Sequence, residues 1–140
     1  MISLAVAVIS LGYNTWRNET SELHRNWRQA AFQTTVELNE LQQIVLYRRY
    51  FHGREEHPYQ PIRDAETWVT GWGKVASIRD LTSVLPEPLP ARGQSLHATW
   101  EQHAGDLDSG GQAAQRAEDE LMGTIDDTRQ ATIGLIEQLR

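Results

Sequence analysis

Five histidines and nineteen carboxylates are the groups in this chain that could ligate a metal or move a proton. In a helical protein the most specific arrangement would be Glu-x-x-His on facing helices, the pattern of di-metal carboxylate centres. The residues three before His24, His52, His57, His97 and His103 are Ser21, Arg49, Arg54, Gln94 and Trp100, so that pattern is absent. The stretch HGREEH gathers His52, Glu55, Glu56 and His57 in one loop and could hold a divalent cation. No second ligand pair is spaced to complete a defined geometry, so a solvated charged loop is the simpler reading. The pairs Asp119–Glu120 and Asp126–Asp127 fall on one amphipathic helix, where adjacent carboxylates are usually its wet face. With no cysteine, thiolate zinc sites, iron–sulfur clusters and cysteine nucleophiles are excluded. No G-x-S-x-G elbow, phosphate-binding loop or dinucleotide fingerprint occurs. The expectation is a non-enzymatic protein without a cofactor.

Recognition is a different matter. YRRYFHGR places Tyr47, Arg48, Arg49, Tyr50 and Arg54 together, and aromatic and arginine side chains are what interface hot spots use. These five residues form a candidate interaction surface. The competing reading has Tyr47 and Phe51 capping a core while Arg48 and Arg49 pair with acids of the last helix. Trp27, Trp68, Trp72 and Trp100 fall on inward faces of the expected helices and read as core. A small-molecule pocket lined by Trp68, Trp72 and Trp100 is the alternative.

The formal net charge of −6 argues against nucleic acid as a partner. Charge is also segregated. Residues 14–54 carry six arginines against four acids, whereas 101–127 carry eight acids against Arg116 alone. Two such segments neutralise each other if their helices are neighbours.

The elements that must position these groups are helices. From Trp27, the series Ala31, Thr34, Leu38, Leu41 and Val45 alternates steps of four and three, the spacing of one helical face. Phe32, Val36 and Ile44 widen that stripe, and the helix ends near Gly53. Asp64 suits the N-cap of a second helix reaching about Val84, interrupted or closely packed at Gly71 and Gly73. LPEPLP is a stiff turn. A third helix starts near Pro90, and a fourth runs from about Gln112 to the end with Ala117, Leu121, Ile125, Thr128, Thr132, Leu135 and Leu139 inward. No strand-like alternation appears. The expected fold is all-α: an antiparallel four-helix bundle over residues 17–140, with long first and fourth helices and an apolar helical extension over residues 1–16.

That extension, MISLAVAVISLG, is too short for a bilayer span and lacks the basic start of a signal peptide. It has the pattern of the second half of a transmembrane helix, with Tyr13, Trp16 and Arg17 as membrane-interface residues. The arginines that follow would put the bundle on the cytoplasmic side of a bacterial inner membrane, as a single-pass protein; a periplasmic bundle is the alternative. LGYNTWRNE and GWGKVASIRDLTSVLP resemble segments of uncharacterised Gram-negative bacterial proteins, which the resemblance describes as one N-terminal span followed by a small helical domain. The functional expectation is a membrane-anchored interaction or scaffold module with a protein partner. A ligand-binding, sensor-type bundle of a membrane receptor is the alternative. Removed from lipid, the run from Ile2 to Leu11 would pair with a copy of itself, so a homodimer is also expected.

Overall fold

The computed structural model describes residues 2–51 and 61–140, and for 61–64 the backbone alone. Four α-helices fill almost all of it: α1 over Ile2–Tyr50, α2 over Pro61–Ser83, α3 over Leu89–His103 and α4 over Gly111–Gln138. A short 3-10 turn, Ala104–Asp106, follows α3, and no strand occurs among the described residues. Each helix packs against its neighbours in sequence, and α1 closes the ring against α4. This is the expected all-α four-helix bundle.

Local chemistry explains the boundaries. Arg48 and Arg49 sit in the last turn of α1, where cations oppose the exposed carbonyl dipoles. Pro90 lies in the first turn of α3, where its missing N–H is not needed. Gly110 and Gly111 lead into α4 with φ of 77° and 62°, a conformation that a Cβ disfavours. Two boundaries differ from expectation. α1 stops at Tyr50, three residues before Gly53, and α2 starts at Pro61, so Asp64 lies inside its first turn and is not its cap.

The core has two apolar parts. The larger joins Leu38, Leu41 and Val45 of α1 to Val75 and Ile78 of α2, Leu96 and Trp100 of α3, and Ala117, Leu121 and Ile125 of α4. The smaller gathers Ala31, Leu85, Leu89 and Leu135 near the start of the packed part of α1, with Trp27, Ile136 and Leu139 partly buried against it. Four buried threonines belong to neither cluster: Thr34, Thr82, Thr128 and Thr132. Each hydroxyl donates to the carbonyl four residues back on its own helix, at 2.7–2.8 Å, which removes the cost of burying it.

Three further expectations are corrected. Phe32 and Val36 do not widen the buried stripe of α1: they are 54% and 47% exposed, on a face that no other helix covers. Trp68 is only partly sheltered, unlike fully buried Trp100. The third correction concerns the membrane. Among the described residues no helix is long and apolar enough to cross one. The run Ile2–Leu11 covers about 15 Å at 1.5 Å per residue, about half of a bilayer's hydrocarbon core. Asn14, Arg17, Asn18 and Glu19 follow directly on the same helix. A single-pass inner-membrane placement is therefore not supported, with the bundle on either side. Tyr13, Trp16 and Arg17 lose the bilayer setting that made them interface residues, and are exposed side chains on a helix that continues into the bundle.

Two glycines of α2 test the packing. A Cβ at Gly71 would strike the Cη2 and Cζ2 atoms of fully buried Trp100, whereas one at Gly73 would meet nothing within 4 Å. Gly71→Ala should therefore cost about 1–3 kcal/mol through overpacking. Gly73→Ala should stabilise by up to about 1 kcal/mol through helix propensity. Urea unfolding of both variants checks this, and shifts of the same sign would contradict the packing described.

Candidate functional site

The arginine and tyrosine residues at the end of α1 are engaged within the chain. Arg48 is 6% exposed; its Nη2 lies 3.1 Å from Asp108 Oδ2, its Nη1 donates to Thr67 Oγ1 at 3.3 Å, and its guanidinium stands over the Trp68 ring at 5.1 Å. Arg49 reaches Glu118 of α4 at 3.1 Å and stacks on the Tyr50 ring at 5.0 Å. The Tyr50 hydroxyl is 2.9 Å from each oxygen of Glu118, and Tyr47 stacks on Phe51 with centroids 6.0 Å apart. Arg49 and Tyr50 thus meet a carboxylate of α4, while Arg48 meets one in the loop before it. The cluster ties α1 to α2, to that loop and to α4. Arg54 lies outside the described residues, as does the HGREEH loop from His52 to His57. Among the described residues no three His, Asp or Glu side chains gather where a metal could sit.

The indoles of Trp68, Trp72 and Trp100 lie 6.2–6.4 Å apart, with His97 at 5.8 Å from Trp72. They fill the space between α2 and α3 with one another. The buried Trp100 Nε1 has no hydrogen-bond partner among the described residues.

The chain's one lysine links α1 to α2. Lys74 reaches Glu40 and, at 3.0 Å, Glu37. The hydrogen bond that Lys74 donates to Glu40 raises its pKa above the ordinary value; partial burial opposes this and Glu37 adds to it. Sequence reading missed this link, because it depends on how α1 and α2 are staggered.

The feature left unaccounted for by the bundle is the first half of α1. The packed part begins near Trp27, where the Arg28 guanidinium donates to the Leu139 carbonyl beyond α4. Before that, about 37 Å of helix projects with nothing packed on it, at 1.5 Å per residue. Ile2 is 84% exposed and Trp16 63%. Ile2, Val6, Ile9, Tyr13, Trp16, Thr20, Leu23 and Trp27 alternate steps of four and three without a break. The buried stripe Ala31, Thr34, Leu38, Leu41, Val45, Arg48 has the same alternation. At 3.6 residues per turn the mean directions of the two stripes agree to within about 20°. The projecting seam is the bundle-facing side of α1, extended beyond the bundle and uncovered. Sequence reading saw only that the run to Leu11 is apolar all round. The signal was present in the helical spacing, but it needs two successive steps of four, Ala31 to Trp27 to Leu23, since strict alternation carried backwards would pass to His24 and Arg17.

Comparison with protein-family models, with curated proteins and with solved structures gives no match.

Two measurements check the ties described here. Arg48→Met removes a nearly buried cation from Asp108 and Trp68 and should cost about 2–4 kcal/mol in urea unfolding. Arg49→Met, at a side chain 16% exposed against 7% for Arg48, should cost less; an equal or reversed order would contradict the difference in burial of the two cations. For Lys74 the raised folded pKa sets the sign. Its contribution is complete below the unfolded value of about 10.4 and is lost as pH rises through the folded one. The stability advantage of the native chain over Lys74→Met should therefore hold at neutral pH and shrink once pH rises past the ordinary lysine value of 10.5.

Proposed function

We propose that this protein is a helical interaction module, in which the bundle is a rigid base and the first half of α1 is the docking element for another helix. The observation that carries this reading is the uncovered seam from Ile2 to Trp27, in phase with the buried stripe of the same helix. An a/d-like repeat sustained over more than three heptads is the pattern by which helices bind helices.

Two energetic arguments support it. Burying one Ile, Val or Leu side chain is worth about 1.5–3 kcal/mol, and the seam offers four of them besides Tyr13 and Trp16. The projecting half is also a poor helix by itself. It carries β-branched Ile2, Val6, Val8, Ile9, Thr15 and Thr20 with Gly12, all weaker helix formers than Ala. Docking against another helix supplies the packing that keeps it ordered. The arginine–tyrosine cluster has a different part in this reading: it fixes the far end of α1, so that the base does not shift when the seam is loaded.

Photo-crosslinking in living cells tests the reading. A photoreactive residue placed at Leu23, on the seam, should give a discrete adduct with a helical protein, whether another protein or this one. The same residue at Asn18, on the opposite side of α1, should not. Equal labelling from both positions, or from neither, would contradict docking through the seam.

A further inference from the structure

We infer that the helix covering the seam is α1 of a second copy of this chain, running antiparallel, so that two bundles stand at opposite ends of a shared two-helix stem. The inference rests on the docking role proposed above and names the partner and its direction.

Direction follows from the fold. The seam shares its face with the buried stripe of α1, and along the packed half that face is occupied by the rest of the bundle. A parallel copy of α1, laid on the seam, would run on into the space held by the other three helices. An antiparallel copy meets no such obstacle. Its own bundle lies beyond Ile2 of the first chain, and its N-terminal end comes to rest where Trp27, Ile136 and Leu139 are only partly buried. The partner helix thus continues the smaller core cluster, which is open on that side.

Register follows from spacing. The steps from Ile2 to Trp27 read four, three, four, three, four, three, four, the same in both directions. Turned end for end, the seam therefore falls on itself with each knob opposite a knob. Ile2 faces Trp27, Val6 faces Leu23, Ile9 faces Thr20, and Tyr13 faces Trp16, each pair formed twice about a two-fold axis. The two Tyr13–Trp16 layers flank that axis, so the aromatic side chains lie at the centre of the interface, where binding energy concentrates. The flanking positions add no conflict. Arg17 falls near Ser10 of the other copy, Glu19 near Gly12 and His24 near Ser3, so no charge is set against its like. A helix face about 37 Å long buries surface of the order of the ~800 Å² per partner found in standard stable interfaces.

The absence of native cysteine makes the test clean. Ile9→Cys protein mixed with Thr20→Cys protein should form a disulfide-linked dimer under mild oxidation, and neither variant alone should do so. Residues 9 and 20 are about 16 Å apart along one helix, beyond disulfide reach, so the bond must join two chains. Crosslinking of Ile9→Cys alone would overturn the antiparallel arrangement. In sedimentation the intact chain should have the mass of two copies. Trp16→Ala should weaken the dimer at least tenfold, and deleting residues 2–12 should give a monomer whose bundle still unfolds cooperatively. Leu4, Val8 and Leu11 lie on the other side of the stem, and a mass of four chains would overturn the two-chain stoichiometry. A monomeric intact chain would overturn the second copy as partner. If a seam adduct to some other protein is still found in cells, the docking role survives that result; if no seam adduct is found, both fail.

Discussion

A helix whose apolar residues alternate steps of four and three returns to nearly the same face every heptad, drifting by only about 20° each time. α1 keeps that face from Ile2 to Arg48, because two successive steps of four, Leu23 to Trp27 to Ala31, offset the drift, but the helices available to cover it extend back only to about Trp27. Everything distinctive about the molecule follows from this mismatch between one stripe and three shorter neighbours. Within the bundle the stripe is satisfied by Leu38, Leu41 and Val45 against α2, α3 and α4. Outside it, the same stripe is left to water. A shorter α1 would make an ordinary bundle, and unbroken four–three alternation through Trp27 would let the projecting residues drift by about 70° from the buried face.

The helices of the bundle are held by unlike means along their length. The middle is apolar and includes the Trp100 ring, which leaves no room for a side chain at Gly71. One end of α1 is tied electrostatically, through Arg48 to Asp108 and Arg49 to Glu118. Buried threonines supply short side chains whose hydroxyls turn back on their own helices, so close approach there costs no orphaned donor. Gly93 of α3 completes this region, since a Cβ on it would strike Thr82 Oγ1.

Much of this was legible in the sequence, and the exceptions share a cause. Periodicity marked Ala31, Thr34, Leu38, Leu41 and Val45 correctly, because a repeated face must be covered by something. It could not show that Phe32 and Val36 have no neighbour, since spacing describes one helix and coverage describes several. Lys74 with Glu37 and Glu40, and Arg48 with Asp108, are pairs between elements whose axial stagger no single-helix pattern contains. The membrane expectation failed for another reason. Ten apolar residues followed by Tyr13, Trp16 and Arg17 match half a span in length and composition, but no helix among the described residues is long and apolar enough to make a whole one. The polar residues from Asn14 onward end the apolar surface too early. The change of residue type at Tyr13 also hid the continuity of the seam, which keeps its phase while passing from Ile and Val to aromatic side chains.

The contact between Arg28 and the Leu139 carbonyl joins residues 111 positions apart and marks the bundle end from which the stem emerges. On a ribosome the two sides of that contact are made at different times. The stem is synthesised first, and at about 5–20 residues per second the last turn of α4 follows on the order of 10 s later. During that interval the seam exists without the bundle end that obstructs a parallel neighbour. If copies pair through the stem as inferred above, two nascent stems emerging side by side on one messenger would be free to pair in the direction that the finished fold forbids. Closing α4 onto α1 would then have to prise them apart. On the inferred pairing, the late closure of α4 onto α1 would decide how two chains are oriented, and the final residues of the sequence would govern the fate of its first.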